Sequence, residues 1–237
     1  MGKTITRHIP NAVTCCNLIA GCMATGAAFH GSLNWAFLLI IIGALFDFLD
    51  GMTARLLHVS SPIGKELDSL ADIVTFGVAP SAMIFYLFHY VAYPQFMLPL
   101  RPVMPYAAFL MAAFSALRLA KFNTDTRQSY HFIGLPTPAN TLFWASLIIG
   151  CRPFLLSPRF NAFFLFMFML LSCFLMVSEV PLFALKFRNF SWRDNKIKYI
   201  FLISCIPMVI LWGISSFAAI VTWYVVLSAI AFRLRWI

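Results

Sequence analysis

Residues 33–72 read LNWAFLLIIIGALFDFLDGMTARLLHVSSPIGKELDSLAD. The first half is apolar enough to enter a bilayer, yet Asp47 and Asp50 close it. An ionised carboxylate inside hydrocarbon costs roughly 2.5–3.5 kcal/mol or more unless a partner compensates it, so a cationic partner is expected there. On a helix, a spacing of three (Asp47, Asp50) or four (Asp68, Asp72) puts both side chains of a pair on one face. Ser60, Ser61 and Pro62 read as a short turn between two antiparallel helices, which lets the two pairs face one another at the membrane surface. Of the eight acidic residues in the chain, Asp47, Asp50, Glu66, Asp68 and Asp72 fall in this one stretch.

The rest of the chain agrees with a membrane setting. Of its 237 residues, 62% are hydrophobic and 11% charged, with a mean hydropathy of +0.87, far from a soluble domain. Apolar stretches predict eight helices at about 11–30, 33–57, 67–93, 103–121, 137–156, 161–178, 198–212 and 214–232, the last two joined tightly near Trp212 and Gly213. The fold class is therefore all-α and polytopic, with residues 1–237 forming one integral membrane domain. Alternate connections collect every lysine and arginine except Arg101, Arg152 and Arg159, which puts both termini in the cytoplasm. The formal charge of +9 is thus a matter of topology and anionic headgroups, and no nucleic-acid partner is expected. Residues 179–197 mix aromatic and basic residues, as in an amphipathic segment at headgroup level or a plain cytoplasmic loop. Six cysteines without CxxC spacing indicate neither a zinc site nor a disulfide framework.

Four carboxylates around one volume cannot all stay ionised unaided, and all-oxygen ligation suits Mg2+ or Mn2+, so a site for two such ions is the economical reading. Two other readings stay open from the residues alone: ion pairs with Arg55, Lys65 and Lys121, or a cation path in a transporter. Gly51, Ala54 and Gly64 leave room for a bulky diphosphate, or for close helix packing. Asn11 and Thr14 at the start of the first helix suit a phosphate, or simple capping.

In order, Asp47, Asp50, Gly51, Ala54, Arg55, Gly64, Asp68 and Asp72 form DxxDGxxAR, eight residues, GxxxDxxxD. This resembles the signature of the CDP-alcohol phosphotransferases. The stretches IPNAVTCCNLIAG (9–21), DSLADIVTFGVAP (68–80), ALRLAKFN (116–123) and FIGLPTPAN (132–140) are similar to the phosphatidylserine synthase branch, as is the tail at 176–189. Asn17 stands where the glycerol-phosphate branch has arginine, and Lys121 and Thr75 depart from the branch's more frequent arginine and serine.

The resemblance implies a six-helix catalytic core over about 1–178, a cytoplasmic loop at 179–197 and two added helices at 198–237, in the bacterial inner membrane as a homodimer. It implies CDP-diacylglycerol and L-serine as substrates, with the site facing the cytoplasm. Asp47, Asp50, Asp68 and Asp72 would hold the metals, and Asp72 would also act as general base. Asn11, Thr14, Gly51, Ala54, Arg55 and Gly64 would bind the CDP-diacylglycerol. Arg118, Lys121 and Asn123 are candidates for the serine carboxylate, with positive-inside anchoring as their other reading. With neither a GxSxG elbow nor an HExxH motif present, direct attack without a covalent enzyme intermediate is expected. The alternatives are a family member using glycerol phosphate or inositol phosphate, or a cation-coupled transporter.

Overall fold

A computed structural model describes residues 8–59, 61–125, 131–183, 185 and 191–234. Helix α1 (His8–Phe29) carries Pro10 in its first turn, where the missing N–H removes no intrahelical bond. It pairs with α2 (Leu33–Leu56) through a turn at Gly31, whose φ of 76° is natural only for glycine. Ser61 caps α3 (Pro62–Asp72), accepting from the Gly64 N–H at 2.9 Å, with Pro62 opening the helix. The predicted turn between the two aspartate pairs is therefore present, although Ser60 itself lies outside the described residues.

Directly after Asp72, the helix widens into a π-helical stretch, Ile73–Val78, before continuing as α4 (Ala79–Tyr90). Two contacts account for the widening. The Thr75 side chain is seated between α1 and α2, where only glycine leaves room: a Cβ on Gly43 would stand 2.6 Å from Thr75 Cγ2, and one on Gly21 would collide with Thr75 Oγ1. The Phe76 carbonyl accepts from Thr141 Oγ1 at 2.6 Å, so a backbone acceptor next to the irregular turn is satisfied.

Two 3₁₀ segments, Gln95–Leu100 and Met104–Phe109, lead into α5 (Leu110–Thr124). The predicted helix at 137–156 divides into α6 (Thr137–Gly150) and a one-turn α7 (Arg152–Leu155). Pro153 explains the break at Cys151, since it has no N–H to donate to the Ile149 carbonyl and its ring would clash with that carbonyl in a continuous helix. Helix α8 (Ala162–Val177) is capped by Asn161, which accepts from the N–H groups of Phe163 and Phe164. Helices α9 (Trp192–Trp212) and α10 (Ser216–Arg233) meet at Gly213, with φ 52°, the tight connection expected there.

A two-stranded antiparallel sheet was not foreseen: β1 (His131–Ile133) pairs with β2 (Pro181–Phe183). Leu182 and Phe183 are buried, and Tyr224 of α10 donates to the Phe183 carbonyl at 2.7 Å. The stretch read as a loop or interfacial segment thus contains a buried strand, and helical structure begins at Trp192 rather than 198, with a kink at Asn195, whose φ of −126° is not helical. Phe187, Phe190, Lys186 and Arg188 lie outside the described residues. By length and composition, His8–Phe29, Leu33–Leu56, Pro62–Tyr90 and Asn195–Arg233 suit a bilayer, the last folding back at Gly213. Helices α5, α6 and α8 have 15, 14 and 16 residues, about 21–24 Å at 1.5 Å per residue. The protein is a multi-pass helical membrane protein.

The seating of Thr75 makes a sharp prediction. Gly43→Ala should lower stability by about 1–3 kcal/mol through overpacking, whereas Gly26→Ala, with nothing within 4 Å, should leave it unchanged or raise it by about 0.5–1 kcal/mol. Thermal unfolding in detergent checks this, and equal melting shifts for the two variants would contradict the close approach.

Candidate metal centre and substrate cleft

Helices α2 and α3 bring Asp47, Asp50 and Asp68 together so that one carboxylate oxygen from each lies within 4.8 Å of the others. At that distance, a pair of like charges repels by about 3–4 kcal/mol at an effective dielectric near 20. No described lysine or arginine forms a salt bridge to any of the four aspartates, so the ion-pair reading of the cluster fails. Asp68 Oδ1 is buried and finds no hydrogen-bond donor. An orphaned carboxylate oxygen within an all-oxygen cluster is what a small, hard divalent cation requires, and the donor set fits one.

Asp72, at the end of α3, stands outside that group of three but within the field of its charges. Its Oδ1 accepts from Asn17 Nδ2 at 3.2 Å, and Asn17 Oδ1 accepts from Thr75 Oγ1 at 2.7 Å. Asn17 and Thr75 are fully buried. Helix α1 therefore holds both acidic pairs, because Thr14, three residues before Asn17 and on the same face, donates to Asp50 Oδ2 at 2.6 Å. The role of Asn17 was missed from sequence. The sequence singled it out only as the residue standing where the glycerol-phosphate branch has arginine.

Next to the cluster is a cleft of about 240 Å³, lined by Asn11, Thr14, Gly51, Ala54 and Gly64 together with Asp50 and Asp68. Five of the six residues expected to contact the activated lipid are thus brought together. The sixth, Arg55, is exposed and does not line the cleft. Its guanidinium folds over Gly51, 3.4 Å from where a Cβ would stand. Lys65, an exposed cation expected only as an ion-pair partner of the aspartates, lies on the cleft wall instead. Gly64 is needed for closure, since a Cβ there would come within 2.9 Å of both Asn11 Oδ1 and Ser61 Oγ.

The three residues proposed for the acceptor separate. Arg118 is buried on α5, its guanidinium 4.7 Å from the Phe122 ring centre and within reach of the Asp72 charge. Lys121 donates to the Val177 carbonyl at 3.2 Å and lies 3.8 Å from Glu179, while Asn123 donates to Ser69 Oγ at 2.8 Å. Lys121 and Asn123 tie α5 to the end of α8 and to α3. Among the three, Arg118 lies within the field of the Asp72 charge.

A sequence profile of the CDP-alcohol phosphatidyltransferase family matches residues 7–178. Among curated proteins, the chain is similar to the Bacillus subtilis CDP-diacylglycerol–serine O-phosphatidyltransferase, at 35% identity over 150 residues, covering 63% of this chain and 80% of that one. The Helicobacter pylori (strain J99) protein of the same name is 37% identical over 144 residues, covering 60% and 56%. The Saccharomyces cerevisiae protein of that name is 40% identical over 120 residues, covering 47% and 38%. The chain thus spans most of the first relative and little more than half, or less, of the other two.

Packing unpaired carboxylates together should lower the stability of the metal-free protein. Asp47→Asn is expected to raise the melting temperature in the presence of a strong chelator, because a like charge is removed from the cluster. Asn17→Leu is expected to lower stability by about 1–3 kcal/mol, leaving Asp72 without its amide donor while Thr75 keeps only the backbone carbonyl at position 17. A chelated Asp47→Asn protein that melts below the wild type would contradict the repulsion.

Proposed function

The chain belongs to the CDP-alcohol phosphatidyltransferase family, and we propose that it transfers the phosphatidyl group of CDP-diacylglycerol to the hydroxyl of L-serine, giving phosphatidylserine and CMP. The observation that carries this reading is the convergence of Asp47, Asp50 and Asp68, with an unpartnered Asp68 oxygen, beside the cleft. The names of the relatives support the acceptor. On this reading the chain lies in a bacterial inner membrane with the cleft open to the cytoplasm, which the clustering of lysine and arginine in alternate connections supports.

Asp47, Asp50 and Asp68, with Asp72 beside them, would hold two Mg2+ or Mn2+ ions, which would polarise the diphosphate and offset charge on the departing CMP. Asn11, Thr14, Gly51, Ala54 and Gly64 bound the space for the nucleotide diphosphate, with Lys65 on the wall and Arg55 at the lip. Arg118 offers a guanidinium fork to the serine carboxylate. Asp72, its rotamer held by Asn17, accepts the hydroxyl proton as the serine oxygen bonds to phosphorus and the phosphoanhydride bond to CMP breaks. The proton then passes from Asp72 to water. No covalent enzyme intermediate is involved, consistent with direct attack.

Purified protein given CDP-diacylglycerol, L-serine and Mn2+ or Mg2+ should release CMP, and thorough chelation should stop it. Asp68→Ala and Asp72→Asn should each reduce turnover at least about 100-fold. Release of CMP with glycerol phosphate but not with serine would refute the acceptor. Ion movement across vesicles without CMP release under any acceptor would refute the whole reading. Arg118→Lys should raise the KM for serine on the order of tenfold while changing kcat little, since a lysine retains charge but loses the fork.

A further inference from the structure

Away from the carboxylates, α6, α8 and α10 enclose a second cleft of about 170 Å³, whose walls include Phe143, Phe168, Leu171, Val221 and Val225. One polar side chain in it is unlike the rest. Asn140 is fully buried on α6, and neither its Oδ1 nor its Nδ2 finds a hydrogen-bond partner among the described residues. The other polar residues of the cleft are satisfied. Ser172 Oγ accepts from Trp144 Nε1 at 2.9 Å and donates to the Met169 carbonyl, and Thr222 Oγ1 donates to the Ala218 carbonyl at 2.9 Å. A buried amide left unpaired is strongly unfavourable, so its presence in an otherwise apolar cleft calls for a ligand with a polar group.

Position and shape identify the class of that ligand. Asn140 lies three residues into α6, about 5 Å from its start. Leu175 of the cleft lies two residues from the end of α8. The amide is therefore near one face of the bilayer, at the depth where headgroup gives way to hydrocarbon. Below it the cleft is lined by apolar side chains, and Leu171 and Phe168 on its rim are exposed, as surfaces in contact with lipid are. An α-helix of a second copy, about 10–12 Å across with its side chains, is too wide for this space, whereas a single hydrocarbon chain is not. We propose that the cleft is a binding site for one ester-linked phospholipid. Asn140 Nδ2 donates to an ester carbonyl of the lipid, Oδ1 accepts from water hydrating that ester, and the acyl chain lies along Phe143, Phe168 and Val225. The site is separate from the carboxylate cleft and does not depend on the proposed reaction. It assigns α10, outside the family-matched residues 7–178, a part in holding lipid.

Native mass spectrometry of the whole chain, titrated with dioleoyl phosphatidylethanolamine or its diether analogue, tests the proposal. The diether lipid has the same headgroup and chains but no ester carbonyl. The wild type should retain one diester molecule at least tenfold more tightly than the diether, and Asn140→Leu should remove that preference. Equal retention of the two lipids by the wild type overturns the proposal, and this comparison needs no variant to fold. A folded Asn140→Leu protein that keeps the diester preference overturns it as well. A dimeric wild type that binds no tight lipid and becomes monomeric on Asn140→Leu would assign the cleft to a subunit contact instead, contrary to the proposal.

Discussion

Three carboxylates with oxygens within 4.8 Å of one another repel, and the arrangement of the first three helices is what holds them in place. The apolar body of α2 carries Asp47 and Asp50 to the end of a span, and the Ser61 cap with Pro62 turns α3 back so that Asp68 and Asp72 face them. Helix α1 supplies the polar contacts that fix the pairs from the side, Thr14 to Asp50 and Asn17 to Asp72. Each contact places a donor against an acid in a region where water is scarce, so each orients a carboxylate without neutralising it.

The π-helical turn after Asp72 belongs to the same arrangement. A regular helix repeats its side chains every 3.6 residues, and the extra residue in a π turn rotates the C-terminal side of the helix relative to the N-terminal side. Asp72 can thereby face the acidic cluster while Thr75 enters the space left by Gly21 and Gly43 and Thr141 reaches the Phe76 carbonyl. One irregular turn thus links the acidic end of α3 to the packing of α1, α2 and α6.

Much of this was legible in the sequence, for identifiable reasons. The spans 33–57 and 161–178 were read from uninterrupted apolar runs and correspond to Leu33–Leu56 and Ala162–Val177. The cluster was read because aspartates three and four apart on a helix must share a face, and five of the six nucleotide-site candidates line one cleft. What escaped depends on residues distant in sequence. The Thr75 to Asn17 hydrogen bond joins residues 58 apart, the strand pair joins the two sides of α6 and α8, and both involve ordinary residue types with no local periodicity. Lys121 and Asn123 were singled out by charge, polarity and their place in a family-like stretch, which do not distinguish a ligand-binding group from one bound to Val177 or Ser69.

The pairing of β1 with β2 bears on the order in which the protein can be assembled. Strand β1 leaves the ribosome well before β2, with α6 and α8 still to be synthesised and inserted. Until then, the backbone at His131–Ile133 has no sheet partner and the Gly134 N–H lacks the Val180 carbonyl it later meets. The link between α5 and α6 is therefore closed late, by chain that emerges after the last family-matched residue. Tyr224 then bonds to the Phe183 carbonyl, so the α9–α10 hairpin acts as a clasp, and the packing of the family-matched helices is completed by chain translated after them.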